Sequence, residues 1–256
     1  MHIVIFGGTT EGRELSERLA AAGAQLTVCV LTDYGEESQG ELPGVKTHVG
    51  ALTAQEKQQL LSDAALCVDA THPYATHVSA SVKAACESAC VPYLRLRRPA
   101  SQTEGAVVVE DAAAAAAYLR ERPGNILLTT GSRNLAAFRV LDPERLYPRV
   151  LPSHAGIEAC EALGIPHRNI LAMQGPFSRE MNTAIIRQYA IRWLVTKDGG
   201  AAGGFPEKAE AAKETGAGLI VLRRPGEEGE DFARILDLCL TRLCVDNSEN
   251  KKGEKP

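Results

Sequence analysis

Two doubly wound α/β lobes, each a mainly parallel sheet with helices on both faces, are the fold this 256-residue sequence predicts. Three observations predict it. Short apolar runs alternate with segments of helical periodicity along the whole chain, the pattern of a parallel sheet covered on both faces. The rhythm breaks once, at Arg97-Arg98-Pro99-Ala100-Ser101-Gln102, and then restarts. Finally, the first apolar run passes directly into a glycine-rich turn that opens a helix.

In the first lobe, residues 2–6, 25–31, 45–49, 65–70 and 93–96 read as strands. Helical periodicity covers 11–22, 55–62 and 74–89. Thr53 and Glu56 have capping-box spacing, so each can satisfy a backbone donor of the other at a helix start. In the second lobe, strands are predicted at 106–109, 125–128, 147–151, 169–173, 192–196 and 219–222. Helices are predicted at 111–121, 153–162, 178–189, 206–214 and 231–242. The alanine run at 112–117 is the strongest helix former in the chain and reads as a packed helix rather than low complexity. Residues 246–256 are polar and lysine-rich, and read as a disordered tail. The predicted boundaries are 1–98, 99–245 and 246–256.

Bulk properties exclude several classes. A net charge of −4 provides no basic field for nucleic acid or an anionic membrane. Seven cysteines lie mostly in apolar runs without CxxC spacing, so buried thiols of a reducing compartment are expected rather than disulfides or a metal site. The N-terminus lacks the basic and apolar segments of a signal peptide. No apolar stretch reaches the roughly 18 residues of a membrane span. A cytoplasmic protein is expected, with no membrane and no metal of its own.

In an open parallel sheet, ligands bind beyond the carboxyl ends of the strands. Five of the turns there are chemically unusual. Gly7-Gly8-Thr9-Thr10-Glu11-Gly12-Arg13 follows the first strand, and such a turn brings backbone N–H groups and a helix N-terminus to a pyrophosphate. Against G-x-G-x-x-G, Thr9 replaces the middle glycine. Asp69-Ala70-Thr71-His72-Pro73-Tyr74-Ala75 follows the fourth strand. Thr71 or His72 can cap the next helix and Pro73 suits its first turn, but capping does not call for His72 and Tyr74 together. The other turns are Thr129-Thr130-Gly131-Ser132-Arg133-Asn134, Gln174-Gly175-Pro176-Phe177-Ser178 and Lys197-Asp198-Gly199-Gly200. Each fits ordinary turn chemistry or a ligand site.

Together these turns resemble the precorrin-6A reductase family of cobalamin biosynthesis, including its cobalt-precorrin form. The resemblance extends through Tyr93-Leu94-Arg95-Leu96-Arg97-Arg98-Pro99, Arg149-Val150-Leu151-Pro152, Thr196-Lys197-Asp198 and Glu207-Lys208, in order over nearly the whole chain. It implies two Rossmann-like lobes with cofactor and macrocycle in a cleft between them. The implied reaction is NADPH-dependent reduction of one double bond of precorrin-6A, or its cobalt form, to precorrin-6B. Gly7, Gly8, Thr9, Thr10, Glu11, Gly12 and Arg13 would then hold the pyrophosphate. Thr32 and Tyr34 would meet the ribose phosphate, although Asp33 is placed as an NAD-selecting acid would be. Thr71, His72 and Pro73 would line the cofactor, with His72 and Tyr74 as catalytic candidates for orienting the ring or delivering a proton. Arg95, Arg97, Ser132, Arg133, Gln174, Gly175, Pro176, Ser178, Lys197 and Asp198 would contact the carboxylate-rich tetrapyrrole. Transient contact with neighbouring pathway enzymes is a further implied partnership.

Two rival readings fit the sequence less well. A short-chain dehydrogenase needs Tyr-x-x-x-Lys, and none of the six tyrosines has lysine four residues later. A non-catalytic nucleotide-sensing module explains the glycine turn but leaves the polar turns of the second lobe without purpose.

Overall fold

The computed structural model describes residues 1–98, 101, 103–201, 203–226 and 228–253, with the side chains of 33, 34, 38 and 246–253 outside that description. The chain divides into two compact units, Met1–Pro99 with Pro225–Pro256, and Ala100–Arg224.

The first unit runs β1 (His2–Phe6), α1 (Thr10–Ala21), β2 (Gln25–Val30), α2 (Asp33–Gln39), β3 (Val45–Val49), α3 (Ala54–Leu61), β4 (Leu66–Asp69), α4 (Thr76–Ala89) and β5 (Tyr93–Arg95). Its sheet has the order β3-β2-β1-β4-β5, with every pair parallel. Side chains alternate across a strand. Ile3 and Ile5 therefore join Leu15, Leu19 and Val28 on one face, while Val4 and Phe6 join Leu61, Val82 and Cys86 on the other. The capping box at α3 forms as predicted: the Thr53 N–H donates to Glu56 Oε2 at 2.7 Å, and the Glu56 N–H donates to Thr53 Oγ1 at 3.2 Å.

The second unit runs β6 (Val107–Val109), α5 (Ala112–Leu119), β7 (Asn125–Leu128), a 3-10 segment (Ser132–Val140), β8 (Leu146–Val150), α6 (His154–Glu161), β9 (Leu171–Ala172), α7 (Arg179–Gln188), β10 (Ile191–Lys197), α8 (Phe205–Thr215) and β11 (Gly218–Leu222). Its order is β6-β11-β10-β7-β8-β9, again parallel throughout. Leu127 and Leu194 pack under α7 and α8 with Ile185, Ile186, Ala211 and Ala212.

The expected boundary at 245 is corrected by the last helix, α9 (Phe232–Gly253). Ile235, Cys239 and Leu243, spaced four apart, are buried in the first unit's core with Ile3, Leu15 and Leu19. Fully burying each such side chain contributes roughly 1.5–3 kcal/mol, so the helix joins the sheet that offers an open apolar face. Glu230 extends the attachment, its N–H donating to Arg95 O and its O accepting from Arg97 N. Backbone helicity reaches Gly253, so the tail expected from Asp246 is helical that far, because extending a formed helix costs little. Residues 254–256 lie outside the described residues, as do Pro99, Ala100 and Gln102 of the expected linker.

Helix α2 and the 3-10 segments, which include Pro143–Arg145 and His167–Asn169, were not expected. The residues after β2 form α2, capped by the Thr32 hydroxyl accepting from Gly35 N at 3.1 Å. After β7 the chain winds as a 3-10 segment. Among the described residues no helix is long and apolar enough to cross a membrane. All seven cysteines are free; Cys90 and Cys244 are exposed and the other five buried.

Candidate active site

In the first unit, β1 leads to β2 on one side and β4 leads to β5 on the other, so the carboxyl ends of β1 and β4 flank the topological switch point. The glycine turn leaves β1 there. Gly7 N continues the ladder to Cys29 O at 2.8 Å, and Gly8 turns the chain at φ +85°. Thr9 then caps α1, its Oγ1 accepting from Gly12 N at 3.1 Å and donating to Ala70 O at 2.7 Å. The residue that departs from the glycine fingerprint therefore fastens this turn to the one after β4. A Cβ on Gly12 would stand 3.1 Å from Thr9 Oγ1 and 3.2 Å from the Ala70 Cβ, so glycine is what lets helix and turn close together. Thr10, at the exposed first turn, completes the loop.

Charge at this helix start is arranged by two ion pairs. Glu11 pairs with the buried Arg98 at 2.7 Å. Arg13 lies on the exposed side, paired with Glu17 at 2.8 Å. Arg98 ends the arginine cluster Arg95, Arg97 and Arg98, which in sequence reads as a candidate for an anionic small molecule.

The turn after β4 is built on a buried carboxylate. Asp69 Oδ1 accepts from Thr71 N at 3.0 Å, Thr71 Oγ1 at 2.7 Å and Arg95 Nη1 at 2.7 Å, while Oδ2 accepts from the Tyr93 hydroxyl at 2.8 Å. Asp69 and Arg95 are register partners in β4 and β5, which places their side chains on one face. Arg95 was expected as an external carboxylate anchor. In the structure the side chain is buried, and its Nη1 donates to Asp69 Oδ1 and to Thr71 Oγ1. Burial, together with the Asp69 charge, pushes the Tyr93 hydroxyl far above its ordinary pKa, so it stays a donor.

Capping by Thr71 or His72 is corrected. Helix α4 starts at Thr76 with Ala75 as its cap and no side-chain cap bond, because Thr71 is held by Asp69. His72, buried Pro73 and Tyr74 instead form a turn closed by Ala75 N to His72 O at 2.8 Å. His72 Nδ1 accepts from Tyr74 N at 3.3 Å, so the neutral ring carries its proton on Nε2. The two rings lie 5.6 Å apart. Thr32 is exposed at the α2 start, while the Tyr34 and Asp33 side chains lie outside the described residues. Arg97 is exposed, with its Nε donating to Gly229 O at 3.3 Å.

In the second unit, β7 leads to β8 and β10 leads to β11 in opposite directions, so its switch point lies between β7 and β10. Thr129, after β7, donates from both N and Oγ1 to Val195 O of β10 at 2.9 Å. Lys197 Nζ donates to Asn134 Oδ1 at 3.1 Å. Burial, then the Arg133 charge, lowers the Lys197 pKa. Ser132 is half-buried and Arg133 exposed at the start of the 3-10 segment.

Asp198, expected to contact substrate, is held by hydrogen bonds within its own unit. Its carboxylate accepts from Ser101 N at 3.0 Å, Ser101 Oγ at 2.6 Å and Gly200 N at 3.1 Å. Burial alone would raise its pKa; these donors and Arg224 outweigh it and hold the group below the usual range.

The remaining turn supports a residue that sequence reasoning gave no role. Arg149 of β8 is 7% exposed, its Nη1 donating to Asn182 Oδ1 at 2.8 Å and its guanidinium 4.0 Å above the Phe177 ring. Gly175 allows this, since a Cβ there would stand 3.0 Å from the ring. Ser178 is spent capping α7, accepting from Met181 N at 3.2 Å, while Gln174 and Pro176 are exposed. Lys208, 9% exposed in the first turn of α8, donates to Gly203 O at 2.8 Å. Both cations were visible only as family landmarks. The usable signal was a charged residue on an otherwise buried strand or helix face: Lys208 shares its face with Ala211 and Ala212.

A separate groove is lined by His2, Thr27, Lys46, His48, Glu56 and Asp63, from β1, β2, β3 and α3, and contains none of the expected site residues.

A family model described as precorrin-6x reductase CbiJ/CobK matches residues 2–240. A cobalt-precorrin-6A reductase of Methanothermobacter thermautotrophicus is 35% identical over 248 residues, 93% of this chain and 82% of that protein. One of Priestia megaterium is 36% identical over 234 residues, 87% of this chain and 90% of that protein. A solved structure of a CobK precorrin-6A reductase, 25% identical, superposes with a TM-score of 0.70 over 90% of this chain and 91% of that one. Sequence and fold therefore agree over nearly the full length, and the chain belongs to the precorrin-6x reductase CbiJ/CobK family.

Proposed function

We propose that this protein is an NADPH-dependent reductase of cobalamin biosynthesis that saturates one double bond of precorrin-6A, or of its cobalt form, to give precorrin-6B or its cobalt counterpart. The observation that carries the reading is the Thr9 hydroxyl bridging Gly12 and Ala70 at the switch point of the first unit. It builds a dinucleotide turn in a chain whose family acts on this class of macrocycle.

The residues present fit a dinucleotide. Helix α1 is twelve residues long, and its first N–H groups face the glycine turn with the positive end of the helix dipole. No atom lies within 4 Å of where a Gly8 Cβ would sit, which leaves room for a phosphate against the backbone. Gly7, Gly8, Gly12 and the N–H groups of Thr10 and Glu11 would hold the pyrophosphate. Arg98, anchored by Glu11, and Arg13 add positive charge nearby. The Thr32 oxygen already accepts from Gly35 N, which leaves its hydroxyl proton for the 2′-phosphate of NADP. When bound, the nicotinamide supplies the hydride.

His72 and Tyr74 are the groups of this turn able to orient the reacting partners or hand over the proton that completes the reduction. Asp69 and Arg95 act behind them: the buried pair fixes Thr71 and hence the path of the turn. Lys197 and Arg133, at the carboxyl ends of β10 and β7, offer charge to the substrate's carboxylates.

Purified protein tests the reading against nucleotide sensing. A reductase consumes NADPH only when supplied with precorrin-6A or its cobalt form, whereas a sensor binds NADPH and leaves both macrocycles unchanged.

A further inference from the structure

We propose that Arg149 and Lys208 form an internal carboxylate-binding site in the second unit, which receives one acidic side chain of the tetrapyrrole. This rests on the reductase reading above and adds to it a specific anchor.

The geometry carries the inference. Arg149 is buried, yet among the described residues no carboxylate pairs with it. Among the described residues one of its five N–H donors is used, on Asn182 Oδ1. That partner is itself locked: Asn182 is fully buried, and its Nδ2 donates to Ser178 O at 2.8 Å, so its oxygen must face the guanidinium. Phe177 closes one face of the guanidinium plane at 4.0 Å. The side chain is thus oriented by stacking and one hydrogen bond, with its remaining donors left for a planar acceptor such as a carboxylate.

Lys208 is the second buried cation, and the two repel. Burial first, then the Arg149 charge, lowers the Lys208 pKa to about 8, partly offset by Glu207. Burial lowers Arg149 to about 10. Glu207 is the acid facing Lys208 from its own helix, so two cations against one acid leave a surplus positive charge. A buried charge without a partner is a cost to the fold. A third feature is independent of charge: Thr130, at the carboxyl end of the neighbouring strand β7, is 4% exposed and its hydroxyl has no hydrogen-bond partner among the described residues. Buried polar groups are rarely left unsatisfied without a reason. All three lie at the carboxyl end of the second sheet or beside the N-terminus of α8, where open sheets bind ligands.

The test compares Arg149→Met, Lys208→Met and Thr130→Val with an exposed control on α8, Lys213→Met. Macrocycle binding is followed by its visible absorbance, and NADPH binding by nicotinamide fluorescence. Each site variant is expected to weaken macrocycle binding about tenfold and to leave NADPH binding within twofold. The control is expected to change neither. A folded set of variants that binds the macrocycle like wild type overturns the site. Binding without turnover in wild type overturns the reductase reading and leaves the site standing. Should wild type bind neither macrocycle, uroporphyrin serves as an octacarboxylate probe. Its thermal stabilisation of wild type, lost in Arg149→Met, supports the site; no stabilisation of wild type overturns it.

Discussion

Thr9 and Ala70 are joined by a 2.7 Å hydrogen bond from the threonine hydroxyl to the alanine carbonyl, which ties the turn after β1 to the turn after β4. Valine at position 9 removes this bond and the α1 cap together. Losing a cap costs about 1 kcal/mol, and an unsatisfied carbonyl costs a similar amount. Thr9→Val is expected to lower unfolding stability in urea by about 2 kcal/mol and weaken NADPH binding at least fivefold. Thr9→Ser keeps the hydroxyl and is expected to restore both.

Gly12→Ala probes the same junction from the other side. Its methyl would meet Thr9 Oγ1 at 3.1 Å and Ala70 at 3.2 Å, and neither neighbour is the end of a flexible chain. Overpacking of this kind costs about 1–3 kcal/mol. Thermal unfolding should show the loss, and NADPH titration should show weakened binding.

Asp69→Asn removes the carboxylate charge that pairs with the buried Arg95 at 2.7 Å. Breaking a buried pair from one side typically costs about 3–5 kcal/mol, so urea unfolding should show a loss of that order. Tyr93→Phe leaves Asp69 its Thr71 and Arg95 donors and is expected to cost about 1 kcal/mol. Equal losses from the two variants would contradict a network centred on Asp69.

Lys208 sets a pH dependence whose sign follows from its lowered pKa of about 8, against 10.5 for an ordinary lysine. Below pH 8 it is charged in both folded and unfolded protein, and its buried charge opposes folding. Between 8 and 10.5 the folded form gives up the proton first, so this group's contribution to stability rises with pH. Tetrapyrrole affinity should move oppositely, falling as pH climbs through 8 while Lys208 loses its charge. Lys208→Met is expected to abolish the part of both trends that begins near pH 8; of Arg149 and Glu207, the charges that face it, Arg149 has a pKa lowered by burial to about 10 and adds its own change only at the upper end of this range.

His72→Ala and Tyr74→Phe separate orientation from proton delivery. General acid catalysis contributes about 10²–10⁴-fold, so loss of the proton donor should lower kcat by at least 10²-fold with a changed pH profile. Falls under threefold in both variants would assign the proton to solvent.

Most strands and helices were legible because burial imposes a period: Ile3 and Ile5 against Val4 and Phe6 read directly as a two-sided strand. The attachment of α9 was not legible. Its Ile235, Cys239 and Leu243 stripe announces a helix, but nothing local says which of two apolar sheets it covers. The surroundings of charged residues were hidden for a related reason: Arg95 and Asp198 stand in conspicuous motifs, but their partners, Asp69 and Ser101, are 26 and 97 residues away. Arg149 and Lys208 were overlooked because a cation within an apolar run draws attention only after its burial is known. The glycine turn read correctly as a turn, while the reason for threonine at position 9 required the position of Ala70.

Transfer of deuterium tests the central claim most directly. With NADPH deuterated at the transferring position of the nicotinamide and precorrin-6A or its cobalt form in ordinary water, mass spectrometry should find one deuterium and one solvent proton added to the macrocycle, with one NADPH oxidised for each. A folded protein that binds NADPH but returns both macrocycles unreduced and free of deuterium would contradict the account.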